Sequence, residues 1–130
     1  MAFVLPLFLL FLLGIAEFGR VLWTQTALQF AVEAAARCAA ISPSLCTPTV
    51  ESYAASQAFG LSIPSSTFRY TPNAICGAAN TATGSGGAEV TVPGYAFQPV
   101  VDLSGFFTFL GVSRGANPLN VTLSAKSCHP

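Results

Sequence analysis

The hydrophobic pattern of this chain passes through three regimes. From Ala2 to Ala16 it reads AFVLPLFLLFLLGIA, fifteen residues with no charged or polar side chain, interrupted only by Pro6 and Gly14. From Val21 to Ala40 the run VLWTQTALQFAVEAAARCAA contains no Gly or Pro and is rich in Ala, Leu, Gln and Glu. Leu28, Val32, Ala35 and Ala39 fall at spacings of three and four there, the period of an amphipathic helix. Ser42-Pro43 predicts the stop, because the residue before a proline is pushed out of the helical region. Read as one element, residues up to about 42 form a helix of about 60 Å at 1.5 Å per residue.

Thr47-Pro48 then reads as a cap followed by proline at the first helical position, and VESYAASQAFG (50–60) predicts a second helix of about three turns ending at Gly60. Beyond it the period becomes that of strands: SSTFRYTP (65–72), AEVTV (88–92), GYAFQPVV (94–101), FFTFL (106–110) and LNVTLSAKS (119–127), separated by Gly, Pro, Asn and Ser. The expected fold class is α+β: a long apolar N-terminal helix, a short helix and a small antiparallel sheet, with residues 1–42 as one part and 43–130 as a disulfide-bonded, β-rich domain.

Three readings compete for the apolar run. A transmembrane helix needs about 20 apolar residues, which requires Phe18, Val21, Leu22 and Trp23 to extend the run past Glu17. A cleavable signal would use Gly14-Ile15-Ala16 as its small-residue site, yet the first Lys or Arg, Arg20, follows the apolar core where a signal wants positive charge ahead of it. The third keeps the run for life as the start of the long helix. Eleven large apolar side chains lie between Phe3 and Ile15, and at roughly 1.5–3 kcal/mol each their burial amounts to on the order of 15–30 kcal/mol. Such a spike belongs in lipid or among copies of itself. The residues expected to carry that role are Phe3, Leu5, Pro6, Phe8, Leu10, Phe11 and Leu13, with Glu17, Arg20 and Trp23 at the border. Pro6 is expected to remove a helical hydrogen bond. Glu17 and Arg20, three apart, share a helix face and mark either the headgroup level, with Trp23 as anchor, or an ion pair between packed subunits.

Composition narrows the function classes. Only 8% of the 130 residues are charged, five basic and five acidic, dispersed and with no basic run; ordinary soluble domains carry about 25%, and phosphate backbones are bound through concentrated Lys and Arg. Nucleic acid is not expected as a partner. The Gly-rich stretch 77–87 reads as a loop, and it lacks the Lys-Ser or Lys-Thr of a phosphate-binding loop. One histidine, His129, stands next to the C-terminal residue, the carboxylates are scattered, and neither GxSxG nor HExxH occurs. No catalytic residue, cofactor or metal is assigned. Asn120-Val121-Thr122 matches a glycosylation acceptor, a motif frequent by chance.

Cys38, Cys46, Cys76 and Cys128 form an even set that fits an oxidising compartment. Three pairings are possible; Cys38–Cys46, clipping the helix exit, with Cys76–Cys128, holding the last strand, is favoured. A zinc site is the alternative, without paired CxxC spacing to support it.

These residues resemble the TadE-like pseudopilins of the tight-adherence (Tad/Flp, type IVc) pilus system. The likeness rests on VLPLFLLFLLGIAEFGR (4–20), WTQTALQFAVEAAARCAA (23–40), Cys46 followed by VESYAASQAFGL (50–61), and LNVTLSAKSC (119–128). It implies an inner-membrane precursor that is extracted by a pilus assembly machine and packed by its N-terminal helix, with itself or other pilins, into a filament on the bacterial surface. It also implies a basic leader and prepilin peptidase site, so the chain is expected to begin inside a precursor. The loop 77–87 and the aromatic segment Tyr95, Phe97, Phe106, Phe107 and Phe109 would then be available to neighbours or adhesion targets. The alternative function is a secreted or membrane-tethered binding module that does not polymerise.

Overall fold

The computed structural model describes residues 4–76, 86–100 and 121–130. Its first element is a single helix, α1, Val4–Ile41, of 38 residues, about 57 Å long at 1.5 Å per residue. It ends where Ser42 turns extended ahead of a 3₁₀ turn, Pro43–Leu45, so proline terminates it as the sequence implies. The Cys38–Cys46 disulfide joins its last turn to the residue that closes the 3₁₀ turn.

The second helix, α2, is shorter than expected and capped two residues later. It spans Val50–Ser56, and its N-cap is Thr49, whose Oγ1 accepts from the Ser52 N–H at 3.2 Å while the Ser52 hydroxyl accepts from the Thr49 N–H at 3.1 Å. That reciprocal capping box displaces Thr47, which sits before a cis peptide to Pro48. The reason is chemical: a reciprocal box adds a second bond from a polar side chain three residues on, which Ser52 provides for Thr49 and Val50 cannot provide for Thr47. The helix stops at Ser56, and Phe59 and Gly60 follow with φ of 45° and 76°.

Three strands form an antiparallel sheet in the order β1-β2-β3: β1 Arg69–Ala74, β2 Gly87–Ala96 and β3 Thr122–His129. The expected strand 88–92 and the start of the expected strand 94–101 are one continuous strand through Pro93, which ends at Ala96; residues 97–100 are not strand. Proline is tolerated because pairing with β1 runs only from Arg69↔Thr91 to Ala74↔Gly87, leaving Pro93 beyond its end. The strand expected at 106–110 lies outside the described residues. At the edge, β1 carries Pro72, Asn73 at φ 56° and a register shift between Thr71 and Ala74, features that blunt an open sheet edge. Gly86 packs so close to Asn73 that an added Cβ would overlap the Asn73 backbone.

The chain divides into two compact units, residues 1–23 with 96–122 and residues 24–95 with 123–130. In the second, Ala27, Leu28, Ala31, Val32, Ala35, Ala36 and Ala39 are buried along α1. The pairs at 27/28, 31/32 and 35/36 make a two-residue-wide stripe at helical period, built mainly of alanine, which lets neighbouring backbone approach closely. Ala88, Val90 and Val92 on β2 and Leu123 and Ala125 on β3 are buried at period two. Val50 and Ala54 of α2, with Ile63 and Phe68, complete the core. Gln25 Nε2 donates to the Ser124 carbonyl at 2.9 Å, and Lys126 pairs with Glu89 at 3.0 Å. The Cys76–Cys128 disulfide ties the chain just past β1 to the end of β3.

Candidate membrane and assembly helix

The first unit contains the N-terminal part of α1. Leu5, Pro6, Phe8, Phe11 and Leu13 are all exposed, with Phe8 at 58% and Phe11 at 64%, and Leu10 is half-buried. Phe3 lies outside the described residues. Exposure does not follow one stripe: Val4, Leu5, Leu7, Phe8, Leu9, Phe11, Leu12, Leu13 and Ile15 are exposed, and at about 100° per residue they point to every side of the cylinder. A helix that is apolar all round belongs to a large core or a membrane. Of the most apolar 18-residue window only 6% is buried, and α1 is long and apolar enough to cross a membrane. Pro6 lies within α1 and is exposed.

At the lower border of this apolar stretch sits a charged cluster. Glu17 is 4% exposed. Its Oε1 accepts the backbone N–H of Val100 at 3.1 Å, and Arg20 Nη1 lies 3.4 Å from both carboxylate oxygens. The Arg20 guanidinium is also 5.6 Å from the centre of the Phe97 ring, within cation–π range. Within the described chain, then, the Glu17–Arg20 pair is intrachain at i,i+3, with a third group from residues 97–100. Trp23 is 61% exposed, one helical turn beyond Arg20, a placement suited to an interfacial anchor.

Sequence reasoning did not find Val100, because a backbone amide carries no residue-type signal and stands 83 positions from its acceptor. It also left Phe97 among the aromatics offered to neighbours. That is corrected here: Phe97 is buried at 4%, Tyr95 is half-buried, and Phe106, Phe107 and Phe109 lie outside the described residues.

In the second unit a groove of about 590 Å³ on α1 is lined by Phe30, Ala34, Cys38, Ile41 and Tyr53, with the Glu33–Arg37 ion pair on its wall. Among the described residues no three of His, Cys, Asp and Glu converge on one point. The four cysteines are placed as the pairs Cys38–Cys46 and Cys76–Cys128, and both are disulfides, which removes thiolate chemistry from them.

Residues 1–37 match the family model described as TadE-like protein. No curated protein and no solved structure matches the chain.

Proposed function

We propose that this chain, TadE-like in its N-terminal segment, is a structural subunit of a Tad-type type IV pilus. The TadE-like family is pilus-associated and structural rather than enzymatic, and the apolar helix fits a membrane-anchored member of it. Before assembly α1 anchors the subunit in the bacterial inner membrane. The pilus machinery then transfers it into a filament on the cell surface, where the same helix packs against other pilins. Residues 43–130 act as the disulfide-bonded outer domain, available for subunit contacts or adhesion.

The observation that carries this reading is the all-round exposure of the apolar residues between Val4 and Ile15. Among the described residues nothing covers them, and lipid or another helix is the cover this reading supplies. Gly14 and Gly19 point the same way. A Cβ added at either would meet nothing within 4 Å, so no packing among the described residues repays the roughly 0.5–1 kcal/mol that each glycine costs in a helix interior; close approach by an outside helix would. Two disulfides suit the oxidising side of the membrane.

The test is to shear surface filaments from cells and sequence their protein. The reading expects this chain with residues 4–16 intact. Phe11→Glu, at a position exposed in the free subunit, is expected to abolish incorporation without unfolding the rest, because it would place an unpaired charge between helices. An exported, soluble form lacking residues 4–16 would overturn the proposal and leave the non-polymerising binding module as the reading.

A further inference from the structure

The groove of about 590 Å³ on α1 has the make-up of a helix seat, and nothing among the described residues occupies it. Ala34 lies four residues after Phe30 and seven before Ile41, spacings that put the three on one side of the helix. A small side chain between two large ones leaves the kind of hole that a knob from a second helix fills. Phe30, exposed at 45%, and Ile41, at 80%, have apolar surface to give up to an occupant. The two charged residues of the lining, Glu33 and Arg37, are paired with each other. An occupant therefore needs no charge of its own.

Residues 4–16 of α1 answer that description. They carry no charged or polar side chain, and Phe8, Phe11, Leu12 and Ile15 are exposed at positions i, i+3, i+4 and i+7, the spacing by which a helix anchors in a groove. The groove and this stretch belong to one unbroken helix, which cannot lie along itself. Bringing them together takes two copies.

We propose that the N-terminal stretch of α1 of a second copy docks in this groove, with Phe8, Phe11, Leu12 and Ile15 facing Phe30, Ala34, Ile41 and Tyr53. The docking rests on the filament reading given above and names the partner surface for the apolar stretch. Because the two surfaces differ, the contact is heterologous: each copy gives its groove to one neighbour and its N-terminal stretch to another, and repetition builds a row of subunits rather than a self-complementary pair.

The test places the photo-crosslinking residue benzoylphenylalanine at Phe11 of the full chain. Sheared surface filaments are irradiated and the adducts mapped by mass spectrometry, with the same chain dispersed in dilute detergent micelles as the intrachain control. The docking expects adducts joining residue 11 to residues 30–41 or to Tyr53 in filaments and not in micelles. In a second arm Ala34→Phe fills the hole and Ala34→Ser keeps it. Overpacking of the seat is expected to lower the filament content of Ala34→Phe by at least about tenfold, with Ala34→Ser near wild type and thermal unfolding of both isolated chains unchanged. Where Ala34→Phe lowers the unfolding midpoint, the adduct map alone decides. Adducts confined to residues 4–16 of a neighbour, adducts to a different pilin, or adducts equally frequent in micelles overturn the docking and leave the filament reading standing, as does normal incorporation of a folded Ala34→Phe chain. Filaments that lack this chain overturn the filament reading, and the docking with it.

Discussion

The rings of Phe30 and Phe59 meet with their centres 4.8 Å apart and their planes tilted by 44°, joining the middle of α1 to the turn that follows α2. Phe59 makes this contact from an unusual backbone, with φ at 45°, a region that disfavours a bulky side chain.

This relationship is measurable as a coupling energy. Both rings are about half exposed, Phe30 at 45% and Phe59 at 58%, so their interaction belongs at the weak end of the usual range for aromatic pairs, about 0.5 kcal/mol. A double-mutant cycle with Phe30→Leu and Phe59→Leu, read by chemical unfolding of the full chain in detergent micelles, is expected to return that coupling. Strict additivity of the two single changes would show that the rings are merely adjacent.

The two disulfides differ in the length of chain they close, eight residues for Cys38–Cys46 and 52 for Cys76–Cys128. In the chain-entropy model these closures contribute about 2.5 and about 4 kcal/mol. Replacing both cysteines of the longer closure by alanine is therefore expected to lower the unfolding midpoint more than the same change at the shorter one. The ranking of the two paired variants by thermal unfolding, followed in near-ultraviolet circular dichroism, checks this. A larger loss from Cys38→Ala/Cys46→Ala would mean that native contacts at the buried Cys46, rather than loop closure, dominate.

Capping separates two threonines that look alike in sequence. Thr49 makes the reciprocal contacts with Ser52, and Thr47 makes no cap contact to α2. Thr49→Ala is expected to cost about 1 kcal/mol, and Thr47→Ala much less. Equal losses from the two, measured by chemical unfolding, would overturn the assignment of the cap.

Much of this architecture could be read before any coordinates. The extent of α1 was legible because helix period, composition and the stop at Pro43 are local properties, and the residues named for its packing face, Leu28, Val32, Ala35 and Ala39, are all buried. The α+β class, the second helix and the antiparallel sheet were equally legible, since alternation and turn residues act over a few positions. Three local readings failed for local reasons: Thr47-Pro48 matched a helix start in residue type, but the capping box with Ser52 starts the helix after Thr49; Pro93 looked like a break between strands, but it stands past the end of the β1 pairing; and the strand expected over 65–72 opens as a 3₁₀ turn at Ser65–Thr67, with β1 starting at Arg69.

The sequence by itself determined that the chain has a helix too apolar and too long for its own domain to cover, and that its four cysteines leave no thiol chemistry once oxidised; both follow from residue type and chain length. Only the tertiary structure decided what Glu17 touches, that Phe97 is buried beneath Arg20, and that Phe59 turns back to Phe30. The physical reason is the same in each case. These contacts join positions far apart along the chain, and nothing in the local alternation of polar and apolar residues says which distant amide or ring the folded backbone will bring within reach.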